Sequence, residues 1–105
     1  MPGMPPVQQG NANWDARQED VNLRNVLSRW SAQAGWTFRL EHWVPERDLP
    51  VAGTVSFPGD FQAAVRGLLS STDLTDFPVQ PCFYSNNVLR VVTRAEVCDR
   101  MTASN

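Results

Sequence analysis

One histidine, two cysteines and eleven carboxylates are the side chains of this 105-residue chain with an obvious claim on chemistry. His42 stands between Glu41 and Trp43. A nucleophilic triad would need it beside a serine or cysteine and a carboxylate, and nothing in the spacing imposes that geometry. A surface residue at the end of an apolar run is the simpler reading. A single histidine also rules out a histidine-rich metal site, and Cys82 and Cys98 lie too far apart for a C-x-x-C pair. They are either two buried thiols or one disulfide. Neither of the glycine-rich phosphate-binding patterns is present. Gly59-Asp60-Phe61 opens a helix whose free N–H groups could draw an anion, but Asp60 fills that place as a cap. Asp15, Glu19, Asp20, Glu46, Asp48, Asp73 and Asp76 fall in loops or helix flanks, where no pair has a reason for a raised pKa. The expectation is a protein without catalysis, cofactor or metal.

The charge pattern narrows the partners. All nine basic residues are arginine, spread singly, against eleven acids for a net charge of −2. Nucleic-acid binders concentrate positive charge on one stripe, so nucleic acid is not expected. Hydrophobic residues make up 42% of the chain, enough for one core. No segment approaches the roughly 20 apolar residues of a membrane span. The N-terminus lacks a basic region followed by an apolar run, so no signal peptide is visible. The chain is therefore cytoplasmic or a domain taken from a longer precursor.

The elements that would position these residues follow from periodicity. Residues 1–13, rich in Pro, Gly, Asn and Gln, read as a tail or linker. Trp14, Ala16 and Gln18 mark one face of a short strand. Asn22 caps a helix with Leu23, Val26, Leu27, Trp30 and Ala34 on one stripe, ended by Gly35. The period then switches to two, with Trp36, Phe38 and Leu40 as the inward face of a strand. VAGTVSF predicts another strand centred on Val55 and Phe57. Asp60 caps a second helix with Phe61, Ala64, Val65, Leu68 and Leu69 inward, unwound by Ser70, Ser71 and Thr72. Two last strands flank Asn86-Asn87 as a hairpin with a two-residue type I′ turn, which sets Cys82 opposite Val91. RAEVCDRM then makes a short helical return. Pro78 and Pro81 mark the first arm as a sheet edge. The fold class is thus α+β, one small β-α-β-β-α-β-β domain over residues 14–96, its two helices packed between small sheets, with 97–105 a tail.

The run Leu23…Leu27-Ser28-Arg29-Trp30 with Ala34-Gly35-Trp36, then Phe57-Pro58-Gly59-Asp60-Phe61 with Ala64-Val65, then Asn87-Val88-Leu89-Arg90-Val91, resembles the C-terminal domain of the toxin-coregulated pilus biosynthesis protein Q family. The similarity spans about residues 14 to 93, and its specificity lies in order and spacing rather than in any one piece. The resemblance implies a fold like the amino-terminal domains of secretins and TonB-dependent receptors. It also implies a periplasmic, non-catalytic interaction module of a type IV pilus, secretion or conjugation apparatus. The implied partner is the outer-membrane secretin or a pilus or secretion lipoprotein, and the resemblance leaves room for a lipid anchor on the native precursor. Disulfides persist in such oxidising compartments, which favours pairing Cys82 with Cys98. A glycine is common in that family just before the first helix, where this chain has Asp20-Val21-Asn22, so a different entry turn is expected.

For a partner-binding face the candidates are Arg39, Trp43 and Arg47 around the strand-to-loop edge, with Tyr84 and Arg90 on the outward face of the hairpin. The alternative is that the three arginines are simply solvated and that Trp43 is core. Two other functions fit the sequence less directly: a signalling N-terminal domain of a TonB-dependent receptor, and a small enzyme or enzyme inhibitor using His42 or the cysteines.

Overall fold

A computed structural model describes residues 14–51 and 53–98. The expected 1–13 linker and residues 99–105 of the expected tail lie outside the described residues. Chain order is β1 (Trp14–Ala16), α1 (Leu23–Ala34), β2 (Val55–Phe57), α2 (Phe61–Ser70), β3 (Val79–Phe83) and β4 (Leu89–Thr93). Single turns of 3₁₀ helix sit at Gln18–Asp20 and Leu40–His42. Two antiparallel two-stranded sheets, β1-β2 and β3-β4, pack against the helices.

The helices form where the apolar stripes demand them. Asn22 accepts a hydrogen bond from the Asn25 N–H at 2.8 Å, and Asp60 caps α2 through the Ala63 N–H at 2.9 Å. Gly35 ends α1 at φ 79°, a left-handed position glycine enters without steric cost. At the end of α2, the hydroxyls of Ser70, Ser71 and Thr72 each donate to the carbonyl three residues back, which stops the helix as their sequence suggests.

The entry turn to α1 has a glycine-like backbone at a residue that is not glycine. Val21 lies at φ 77°, ψ −52°, and the Asn22 N–H donates to the Asp20 carbonyl to close a three-residue turn. This conformation is strained for a β-branched residue. Two bonds to the facing loop hold it: the Val51 N–H donates to the Val21 carbonyl, and the Leu23 N–H to that of Leu49.

Three expectations are corrected in detail. Residues 36–40 form no ladder strand. Thr37 and Trp43 make isolated parallel bridges to Val88 and Val91, and the 3₁₀ turn between them breaks the alternation, leaving Leu40 70% exposed. The segment nonetheless occupies a strand's place beside β4, so the element order agrees with β-α-β-β-α-β-β. Second, the hairpin loop has three residues. The Asn87 N–H donates to the Tyr84 carbonyl and the Tyr84 N–H to that of Val88, with Asn87 at φ 64°. One left-handed residue suffices in such a loop, where a type I′ turn needs two. The register therefore sets Cys82 opposite Arg90, not Val91. Third, the chain after Thr93 makes a turn rather than a helix among the described residues. It brings Cys98 back over the hairpin, and a disulfide joins it to Cys82 with the Cα atoms 5.6 Å apart.

The core explains most of the tryptophan. Trp30 is fully buried, edge-on to Trp14 at 5.7 Å and Phe57 at 6.1 Å, and its Nε1–H donates to the Asp15 carbonyl. The indoles of Trp14 and Trp43 likewise donate to the carbonyls of Gly59 and Arg47. A buried indole needs such a partner for its polar atom. Trp36 is the exception: it is half-buried, lying on Phe61 and Phe83 at the surface of the core.

Candidate docking surface

The residues picked from sequence do not form one patch. Trp43 is buried, so it is core, the second of the two readings open to it. Its indole ties the 3₁₀ turn to the loop that carries Arg47. Arg47 is exposed, stacked over the Phe77 ring at 4.4 Å and ion-paired with Asp76 at 3.3 Å. Arg39 is exposed, and its backbone N–H donates to Nδ1 of His42. Tyr84 and Arg90 do come together on the outward face of the hairpin, the guanidinium donating to the phenol oxygen at 3.4 Å. Tyr84 itself is buried there beside Cys82 and Val92, with Val44, Val88 and Cys98 packed around them. The returning chain covers this face, which alternation alone would have left to solvent.

Sequence reading did not find the groove beside Arg47. It has a volume of about 620 Å³ between the 47–55 loop and the C-terminal end of α2, with Leu23, Leu49, Val51 and Leu68 among its lining residues. Its charged rim is internally neutralised. Arg24 holds Asp48 through two hydrogen bonds of 3.0 Å, and Arg47 holds Asp76. The hydrogen bond from Arg24 keeps the Asp48 carboxyl below the ordinary aspartate range. No spacing rule could announce this groove, because its walls come from segments joined only by tertiary contacts.

The β3 edge is poorly suited to accept a partner strand. Backbone groups of Val79, Pro81 and Phe83 point away from β4, since the intervening residues carry the ladder. Of these, the Val79 N–H donates to Thr72 Oγ1 at 3.0 Å and Pro81 has no N–H. Elsewhere the ionisable groups are structural. Asp20 accepts from both Arg29 and the Arg17 N–H. Burial raises its pKa, but these bonds and nearby positive charge outweigh it and leave the carboxyl below its ordinary value. Among the described residues, no three His, Cys, Asp or Glu side chains converge as a metal-ligand group.

A family model described as toxin co-regulated pilus biosynthesis protein Q matches residues 12–94. The chain belongs to that family. Its members are named for pilus biosynthesis, and at that level this family protein is a pilus biosynthesis component. The fold has a solved counterpart in the NMR structure of the Xanthomonas VirB7, with a TM-score of 0.59 and 19% sequence identity. That similarity covers 95% of this chain and 78% of the other, and it concerns the fold. No curated protein matches the chain. Among the described residues, no helix of this family protein is long and apolar enough to cross a membrane.

Proposed function

We propose that the protein is a non-catalytic periplasmic docking module of a type IV pilus or related secretion or conjugation apparatus, associating with the outer-membrane secretin or a neighbouring lipoprotein. Membership of the pilus biosynthesis family is the observation that carries this reading. The Cys82–Cys98 disulfide supports it, because such bonds persist in oxidising compartments. Arg39, Arg47 and Arg90 are the charged contacts of this reading, at separate places on the surface, while buried Trp43 holds the Arg47 carbonyl and buried Tyr84 the Arg90 guanidinium. Arginine suits that role because its planar fork fixes a partner's orientation as well as its charge. His42 and the paired carboxylates act as structural groups in this reading.

The test is crosslinking of the full-length protein in its own envelope, followed by mass identification of its neighbours. Recovery of a secretin or pilus lipoprotein is the expected result. Recovery of only soluble cytoplasmic proteins overturns the proposal.

A further inference from the structure

Among the described residues two arginines are stacked on aromatic rings, and only one has its acid. Arg47 lies over Phe77 at 4.4 Å and sets a terminal nitrogen 3.3 Å from Asp76. Arg66 lies over Phe83 at 4.8 Å, and no described carboxylate is within ion-pair distance of it. Stacking uses the face of a guanidinium and leaves its five N–H donors in the plane, directed outward. On α2 the residues three and four positions from Arg66 are Gln62, Ala63, Leu69 and Ser70, so the helix supplies no acid either.

The contrast holds across the molecule. Arg17, Arg24, Arg29, Arg47 and Arg94 all pair with aspartates, and Arg90 donates to Tyr84. Only Arg39 and Arg66, among the described arginines, are left without such a partner in a chain whose net charge is −2. Beside Arg66 stands the one half-buried tryptophan. Trp36 meets Phe83, the ring under Arg66, edge-on at 5.6 Å, and it also lies on Phe61 at 5.3 Å. A fixed arginine next to a partly exposed indole is the composition that dominates binding energy in protein interfaces.

We infer that the Arg66–Phe83–Trp36 corner receives a carboxylate-bearing segment of a protein partner. The partner's Asp or Glu takes the place at Arg66 that Asp76 takes at Arg47, and an adjacent apolar side chain rests on Trp36. This rests on the docking role proposed above and assigns the partner's chemistry. Arg66 is held in place by the ring, so little side-chain freedom is lost when the acid arrives.

The test is an NMR titration of the full chain with acetyl-Leu-Glu-Phe-Asp-Leu-Glu-amide and with the same peptide carrying Gln and Asn for its acids. The acidic peptide is expected to shift the Arg66 Nε–H and the Trp36 indole resonances saturably, and the amide peptide to bind about tenfold more weakly. Arg66→Gln should produce the same tenfold loss, whereas Arg94→Gln, at an arginine already paired with Asp73, should leave binding unchanged. Unaltered spectra elsewhere in the Arg66→Gln protein would show that its fold is kept. No saturable shift at this corner, equal binding of the two peptides, or equal loss with Arg94→Gln overturns the inference. So does a response to anionic phospholipid vesicles that matches the response to the acidic peptide. The envelope crosslinking result is independent of this peptide, so a docking module with a different contact chemistry would be recognised as such.

Discussion

At the scale of single residues, position in the contact network sorts side chains that composition treats alike. Trp30 and Trp36 are six positions apart, yet one is sealed in the core and the other closes it at the surface. Trp30→Ala removes a fully buried indole that touches Trp14 and Phe57, and should cost about 3–5 kcal/mol in urea unfolding. A much smaller shift of the midpoint would contradict its burial. Val21 presents the opposite case, a residue whose backbone is wrong for its side chain. It is 64% exposed at φ 77°, so Val21→Gly loses little packing and relieves the strained conformation. Glycine's greater freedom in the unfolded chain opposes that gain. Relief of about 1–3 kcal/mol against a penalty of about 1 predicts a net gain of up to about 2 kcal/mol, measurable by the same unfolding curve.

At the scale of elements, the hairpin depends on the chain that follows it. Its core face carries Val79, Phe83, Leu89 and Val91, and its outer face Cys82, Tyr84 and Val92. Burying both faces of a two-stranded ribbon requires a cover. The return from Thr93 to Cys98 supplies it, with Gln80 donating to the Glu96 carbonyl and the disulfide as a covalent tie. Closing a loop of this length contributes on the order of 3 kcal/mol in the chain-entropy model. Cys98→Ser should lower unfolding stability by about that amount, and a thiol reductant should do the same to the unaltered protein. Equal stability of the oxidised and reduced forms would show that the tie adds nothing to the cover.

At the scale of the whole molecule, ion pairs connect distant parts of the chain and make its stability depend on pH. Arg29–Asp20 joins α1 to the turn before it, and Arg24–Asp48 joins α1 to the groove loop. Both aspartates have folded pKa values below their ordinary one. A carboxyl depressed in the folded state binds protons more readily when unfolded, so its contribution is complete above the unfolded pKa. It fades as pH falls from about 3.9 through the lower folded value. The expected result is unchanged stability near neutral pH with a decline beginning around pH 4, and a shallower acid limb in Asp20→Asn. An identical pH profile for that variant would remove Asp20 from the account. Because Asp48 is well exposed, its share is reduced by solvent screening.

The sequence by itself determined both helices, their caps, the hairpin and most of the core, because each is written in nearest-neighbour periodicity: Leu23 to Ala34, Phe61 to Leu69, and the stop at Gly35. It also carried the family, through the order of short motifs along the chain. Tertiary structure decided the rest. Trp36 to Leu40 alternates like a strand, yet only Thr37 bonds to the hairpin before a 3₁₀ turn intervenes. Asn86-Asn87 suits a two-residue turn, but the three-residue loop needs only Asn87 in a left-handed conformation. The groove, the buried Tyr84 and the two stacked arginines depend on residues far apart in sequence, such as Arg47 with Asp76 and Arg66 with Phe83. Local periodicity records which face of an element is apolar. It does not record which distant side chain arrives to cover that face, or which charge arrives without a counterpart.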